Sequence, residues 1–281
     1  MIEHICFNSD VDGPHLIVLG AIHGDETCGP IAIKKVIQKF EGKESSLLKG
    51  KVTFVPVCNA DAYAQGVRFV EENLNRIICK HETPKNNEQH FANDVCDLIS
   101  SADVMLDLHS FEAEGDPMVF LDHPEAEVQG LAEVLGGKVI LYGWDNIYEG
   151  EAISSECTES WAYKNCVKGL TFECGKNGTE ESNVVAYEAI LRTLSFYSMI
   201  EVDIDPAQTK PHHIEMDKVV LKEKDGTFAE SFKDVVELKK DTLISIYNDG
   251  TEIRMPYDGF LILPAANAPV GQEWFYLGQE R

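Results

Sequence analysis

The sequence predicts an α/β fold: a mainly parallel, doubly wound sheet covered by helices, followed by a small C-terminal all-β domain. Three observations lead there. Strand and helix patterns alternate up to about residue 200, the rhythm that brings successive strands side by side in one direction. The strand runs are continuously apolar, as in "HLIVLGAI" and "KVTFVPVCN", which suits strands covered on both faces. Beyond the proline-rich, polar "DIDPAQTKPHHIEM" the helical patterns stop, and short strands separated by D-G and N-D-G turns take over.

"HLIVLGAI" reads as a buried strand because it is a short unbroken apolar run. "CGPIAIKKVIQKF" has helical spacing, with Ile31, Val36, Ile37 and Phe40 expected on one side. "KVTFVPVCN" is a second strand, and the stretch from Asn59 to Arg76 is expected to be a long loop. "EQHFANDVCDLIS" is helical; "ADVMLDLHS" and "MVFLD" are strands. "EAEVQGLAEVLGG" is a helix with a glycine stop, followed by the strand "KVILYG". "ECTESWAYKNCVKGLTFECGK" divides into a helix, a glycine and the strand "LTFEC". "NVVAYEAILRTLSFYSMI" is a long amphipathic helix. With 281 residues the chain holds one large domain, or a large one and a small one, and the boundary is expected between 1–205 and 206–281.

Composition narrows the function classes. A formal charge of −24 without a lysine- or arginine-rich cluster argues against nucleic acid and anionic membranes as partners. The first ten residues, "MIEHICFNSD", lack the basic flank and apolar core of a secretory signal, so a cytoplasmic protein is expected. The eight cysteines include no C-x-x-C pair, which speaks for reduced thiols rather than a zinc knuckle. Strand edges in the C-terminal part allow pairing between subunits, so a homo-oligomer is possible.

Chemistry-bearing residues collect where apolar strands stop. His23 and Glu26 form H-x-x-E after the first such strand, and residues three apart in a tight turn converge on one point. An imidazole and a carboxylate suit a zinc ion, and two histidines with one glutamate leave a position for water. His109, at the end of "VMLDLHS", reaches the same edge of the sheet. The pattern alone leaves this reading open beside a plainer one: a loop histidine, and a carboxylate at a helix start. Asp107 fits either an acceptor for a ligand imidazole or a solvated strand-end carboxylate. Glu173, in "GLTFECG", is placed to be a general base or an exposed turn neighbour. Arg68, Asn75 and Arg76 lie in the long loop, where arginines fork onto carboxylates, steady an oxyanion or make ordinary surface ion pairs.

In this order "GAIHGDE", "NLNR", "LDLHS" and "LTFECGK" resemble the succinylglutamate desuccinylase/aspartoacylase family of the zinc carboxypeptidase-like superfamily. The resemblance covers roughly the first 200 residues, and a small C-terminal β unit fits the family as well. It implies one zinc ion per chain held by His23, Glu26 and His109, and Glu173 as acid and base. It also implies that Arg68 polarises the scissile carbonyl and that Asn75 and Arg76 grip a substrate carboxylate. The implied activity is hydrolysis of the amide of an N-acyl amino acid. One departure is visible: aspartoacylases carry a further arginine shortly before the catalytic glutamate, whereas "TESWAYKNCVKGLTFE" has none and offers only Lys164 or Lys168. The C-terminal "GTEIRMPYDGFLILP…VGQEWFYLG" also resembles lipoyl-like β-barrel modules without the lysine that would carry a prosthetic group, implying a structural or gating role. Alternatives are a zinc carboxypeptidase acting on peptides, a catalytically inactive metal- or ligand-binding relative, and a cysteine hydrolase.

Overall fold

The computed structural model describes residues 2–204, 207 and 210–281. The chain opens with strands β1 (Ile5–Asn8) and β2 (His15–Gly20), then helix α1 (Cys28–Glu41), β3 (Lys51–Val55), α2 (Ala60–Gln65), a 3-10 turn at Leu74–Arg76, and α3 (Asn87–Ser100). Next come β4 (Val104–Phe111), β5 (Met118–Phe120), α4 (Ala126–Leu135), β6 (Val139–Tyr142), α5 (Trp144–Ile147), α6 (Thr158–Lys164), β7 (Lys168–Lys176) and α7 (Glu180–Phe196). The rest is β: β8 (His212–Leu221), β9 (Gly226–Phe228), β10 (Val235–Leu238), β11 (Leu243–Tyr247), β12 (Glu252–Arg254), β13 (Gly259–Ile262) and β14 (Glu273–Glu280).

Eleven strands form one sheet in the order β1-β3-β2-β4-β7-β5-β6-β8-β14-β13-β10. Its heart is parallel: β3, β2, β4 and β7 run together, as do β5, β6 and β8. An antiparallel β7/β5 pair joins the two blocks, and β1 caps one edge antiparallel to β3. Alternation along β2 explains the two helical layers. Leu16 and Val18 face the core built with α1, α4 and α7, while Ile17 and Leu19 face the one built with α3 and α6. A strand buried on both faces has no polar side to show, hence its unbroken apolar run. On α1 the buried stripe is Ala32, Ile33, Val36, Ile37 and Phe40; Ile31, expected there, is 43% exposed, since it lies a fifth of a turn or more outside the stripe that Ile33 completes. The long loop expected from Asn59 to Arg76 contains α2 and the 3-10 turn, and β1 was not anticipated.

The C-terminal strands are antiparallel, as their turns imply, but they do not form a sheet apart from the first. β8 pairs parallel with β6 and carries the central sheet onward into β14, β13 and β10. Among the described residues, only β12-β11-β9 make a separate three-stranded sheet. The reason lies in side chains: Ile214, Met216 and Val219 of β8 pack with Met118, Leu141 and Ile147 of the preceding α/β part. Turn signals reveal hairpins, not the sheet edge that a hairpin joins. The expected boundary at 205/206 lies outside the described residues. Among the described residues no helix is long and apolar enough to cross a membrane, and all eight cysteines are free thiols.

Candidate metal centre and active site

The carboxyl ends of β2, β4 and β7 meet at one place. The chain leaves β2 through Ala21, which sits at φ 49°, a left-handed conformation that an alanine adopts only under tertiary constraint. Gly24 follows because the loop lies on α2: a Cβ there would fall 2.1 Å from the backbone carbon of Ala62. His23 and Glu26 close this loop on themselves, with Glu26 N donating to His23 O at 3.3 Å. His109 lies two residues before the end of β4, and the parallel register sets Glu173 of β7 directly beside it. The register slips between His109 and Phe111, a bulge of the kind that re-aims side chains next to a site.

His23, Glu26 and His109 are all 2% exposed, and they converge. Glu26 stands between the imidazoles: Oε1 is 2.8 Å from His23 Nδ1, and Oε2 is 2.9 Å from His109 Nδ1. One donor atom from each lies within 4.8 Å of the others. The outer edge of each ring is held in turn. His23 Nε2 donates to Asn73 Oδ1 at 3.1 Å, and His109 Nε2 donates to Asp107 Oδ2 at 3.0 Å. That leaves both Nδ1 atoms turned toward the common point, the orientation that metal ligation requires. Asp107 is fully buried, and its Oδ2 also accepts from Thr158 Oγ1 at 2.6 Å. Two imidazoles, one carboxylate and anchored outer nitrogens are the donor set of a zinc ion with an open position. The residues present therefore fit the ion.

Electrostatics set how tightly each donor holds a proton. Burial, then the nearby Arg68 cation, brings His23 down to about 4, so its ring is neutral. Burial pushes the Glu26 carboxyl up, but the two imidazoles outweigh it and hold the carboxyl well below its ordinary value. Burial alone would lower His109; Asp107 and Glu26 on either side raise it instead. Glu173 is different. Burial, then the charge of Glu26, lifts it to about 8, and its Oε2 is sealed from solvent without a hydrogen-bond partner.

Arg68 is half exposed and donates to Glu26 Oε1 at 2.8 Å. Its loop is pinned by Gly24 N donating to Arg68 O at 3.1 Å and by Glu88, whose carboxylate accepts from Val70 N at 2.8 Å. Asn75 is buried, and its Oδ1 accepts from Thr158 N at 3.3 Å. Arg76 is engaged by Glu273 of β14 at 2.7 Å, a partner contributed by the far end of the chain. Arg68, Arg76, Glu173 and Glu26 line a cavity of about 230 Å³, closed on one side by Leu263, just past β13, and by Glu273 and Tyr276 of β14. A second space beside it is lined by His23, His109 and Asn75. Every expected site residue thus borders this region. Lys164 and Lys168 do not; they line a separate cavity with His123 and Tyr163. Asn73, Thr158, Glu273 and Tyr276 were not anticipated: Asn73 had a signal in the repeated asparagines of "NLNR", the others none. A second cluster, Asp122, His123 and Asp145, also brings three donors together. Asp122 there is occupied as a helix cap, accepting from the backbone N–H groups of Gly143, Trp144 and Asp145 at 2.7, 2.6 and 3.0 Å.

Residues 12–189 match the family model described as the succinylglutamate desuccinylase/aspartoacylase catalytic domain. The chain belongs to this family. A comparison with curated protein sequences finds no match. Among solved structures, a succinylglutamate desuccinylase/aspartoacylase from Rhodobacter sphaeroides superposes with a TM-score of 0.77 at 18% identity, covering 96% of this chain and 87% of that one. The product-bound ectoine utilization protein EutE (DoeB) from Ruegeria pomeroyi gives 0.78 at 19% identity, covering 98% and 88%. A succinylglutamate desuccinylase from Silicibacter sp. TM1040 gives 0.75 at 20% identity, covering 100% and 89%. At these identities the superpositions carry the family's fold over the whole chain, including its C-terminal strands.

Proposed function

We propose that this chain is a zinc-dependent hydrolase that cleaves the amide of an N-acyl amino acid. The observation that carries the reading is the convergence of His23, Glu26 and His109 beside the sealed, unpartnered oxygen of Glu173. His23, Glu26 and His109 would hold the ion. When bound, such an ion supplies Lewis-acid polarisation of the scissile carbonyl and makes water more acidic.

The chain's own residues do the rest. Glu173 takes a proton from the attacking water as the new C–O bond forms; its raised affinity for protons suits a group that must both accept and return one near neutral pH. Arg68, held beside the ion site by Glu26, donates to the oxygen on which negative charge develops. Glu173 then gives its proton to the leaving nitrogen as the C–N bond breaks, releasing a carboxylate and an amine. Asn75 and Arg76 bind the amino acid end. The cavity takes a small molecule, in keeping with a soluble metabolite as substrate.

The test is turnover of a panel of acetyl and succinyl amino acids by the metal-loaded protein, with peptides alongside. Glu173→Gln is expected to lower kcat by about 10²–10⁴-fold while the metal stays bound. Undiminished turnover would reject Glu173 as the base, and preferential cleavage of peptides would favour a carboxypeptidase.

A further inference from the structure

Asn75 and Arg76 share the smaller space beside the metal centre, about 70 Å³, with His23, His109 and Glu173. Phe120, Trp144 and Glu159 line it too. Glu159 comes from the first turn of α6 and is 5% exposed. Its Oε1 accepts from Asp122 N at 2.6 Å; among the described residues its Oε2 has no hydrogen-bond partner, and no lysine or arginine forms an ion pair with it. Glu159 also borders the outer cavity of His123, Lys164 and Lys168, where Lys168 meets Glu127 at 2.5 Å and His123 lies 3.5 Å from Asp145. Burial pushes the Glu159 carboxyl up, the Asp122 N–H draws it back, and the charges of Asp122, Asp145 and Asp107 push it up again. A buried acid among acids, with no cation of its own, is costly to keep unless something positive meets it. The metal ion belongs in this balance. Its charge falls beside Glu26, one of its ligands, and beside Glu173, with Asp107 behind His109. Arg68 is held by Glu26 and Arg76 by Glu273. Each positive charge bordering the space thus has an anion beside it, and with the ion bound Glu159, Asp122 and Asp145 remain in excess. The ion favours the ionised form of Glu159. It also repels a substrate cation, and a carboxylate in contact offsets this where that cation sits.

We infer that Glu159 is a specificity-determining residue that selects N-acyl amino acids whose side chain is short and ends in an ammonium group. The inference rests on the N-acyl amino acid reading above and names the side chain that the amino acid carries. With Asn75 and Arg76 binding the amino acid end, its side chain enters the same small space. The methylenes lie against Phe120 and Trp144, and the ammonium donates to Glu159. The larger cavity, which Glu159 does not border, is left to the acyl group.

The experiment compares the metal-loaded full chain with its Glu159→Gln variant, which keeps an acceptor for Asp122 N and removes the charge. The substrates are pairs matched in shape, each exchanging an ammonium for a methyl: Nα-acetyl-2,4-diaminobutyrate against N-acetylnorvaline, and Nα-acetylornithine against N-acetylnorleucine. N-acetylaspartate is the anionic control. Wild type is expected to favour the cationic member of at least one pair in kcat/KM by about tenfold or more, and the variant to lose that preference by about tenfold, mainly through KM. A merely structural Glu159 would lower both members of a pair alike. That result overturns the proposal, as does a wild type that favours the neutral member of both pairs or N-acetylaspartate. Calorimetric titration with the corresponding free amino acids reads the same preference without turnover: wild type is expected to bind the cationic member of at least one pair about tenfold more tightly, and the variant to bind the two alike. If wild type hydrolyses none of these substrates, the hydrolase reading fails, and the titration still decides the role of Glu159. If Glu159→Gln does not fold, wild type decides alone, because the lack of a cationic preference in both pairs overturns the proposal.

Discussion

At the scale of single residues the site depends on what stands behind each donor. Asp107 is the clearest case. It is fully buried, its Oδ2 joins His109 to Thr158, and its Oδ1 has no partner. A buried carboxylate in that position fixes the ring's orientation and the nitrogen that carries the proton. Asp107→Asn is expected to weaken metal binding by about 10–100-fold with the fold intact, measured by competition with a chelator. Much of this scale was legible in the sequence. That His23, Glu26, His109 and Glu173 come together was legible because apolar runs give way near each of them, and the carboxyl ends of such strands gather on one edge of a parallel sheet. What sequence could not carry was partnership across the chain. The sequence leaves Arg76 open between a surface ion pair and a grip on substrate, and it cannot name Glu273 as the partner, which stands 197 positions away with no periodicity to link the two.

At the scale of elements, loops follow the sheet's register. The segment between β4 and β5 rests on Asp234, just before β10: Asp234 N donates to Glu114 O at 3.3 Å, and Gly115 leaves no room for a Cβ against the carboxylate. Asp234 is 4% exposed, and burial raises its carboxyl to about 6. A raised native pKa means that the folded state binds the proton more tightly than the unfolded chain does. The stabilisation from that proton is complete below the ordinary value of 3.8 and is lost as pH rises through about 6. Asp234→Asn, which cannot ionise, is therefore expected to gain stability relative to wild type across that window. Urea midpoints measured at successive pH values test this; a difference that stays constant with pH would exclude Asp234 as the source. Elements were legible where apolar runs were long. β1, a four-residue edge strand, was not, because "ICFN" is too short to show a period and owes its state to β3.

At the scale of the whole molecule, the C-terminal strands are a continuation of the sheet and a wall of the cavity. Trp274, fully buried in β14, packs against Phe228, Tyr247 and Phe275, while its neighbour Glu273 reaches Arg76. Trp274→Ala is expected to destabilise the protein by about 3–5 kcal/mol and, since β8 and β14 are hydrogen-bonded into the central sheet, to lower one cooperative melting transition rather than split it. Calorimetry of the variant distinguishes these outcomes. Sequence patterns reported that the C-terminal part is β; that β8 joins β6 follows from long-range packing of Ile214 and Met216, which local patterns do not record.

If His23, Glu26 and His109 hold one divalent ion, elemental analysis of the purified protein and of its Glu26→Ala and His109→Ala variants reads it out. About one equivalent of zinc is expected in wild type, with loss of that ion in both folded variants. A wild-type protein that takes up no metal under saturating zinc, or variants that retain a full equivalent, would contradict it.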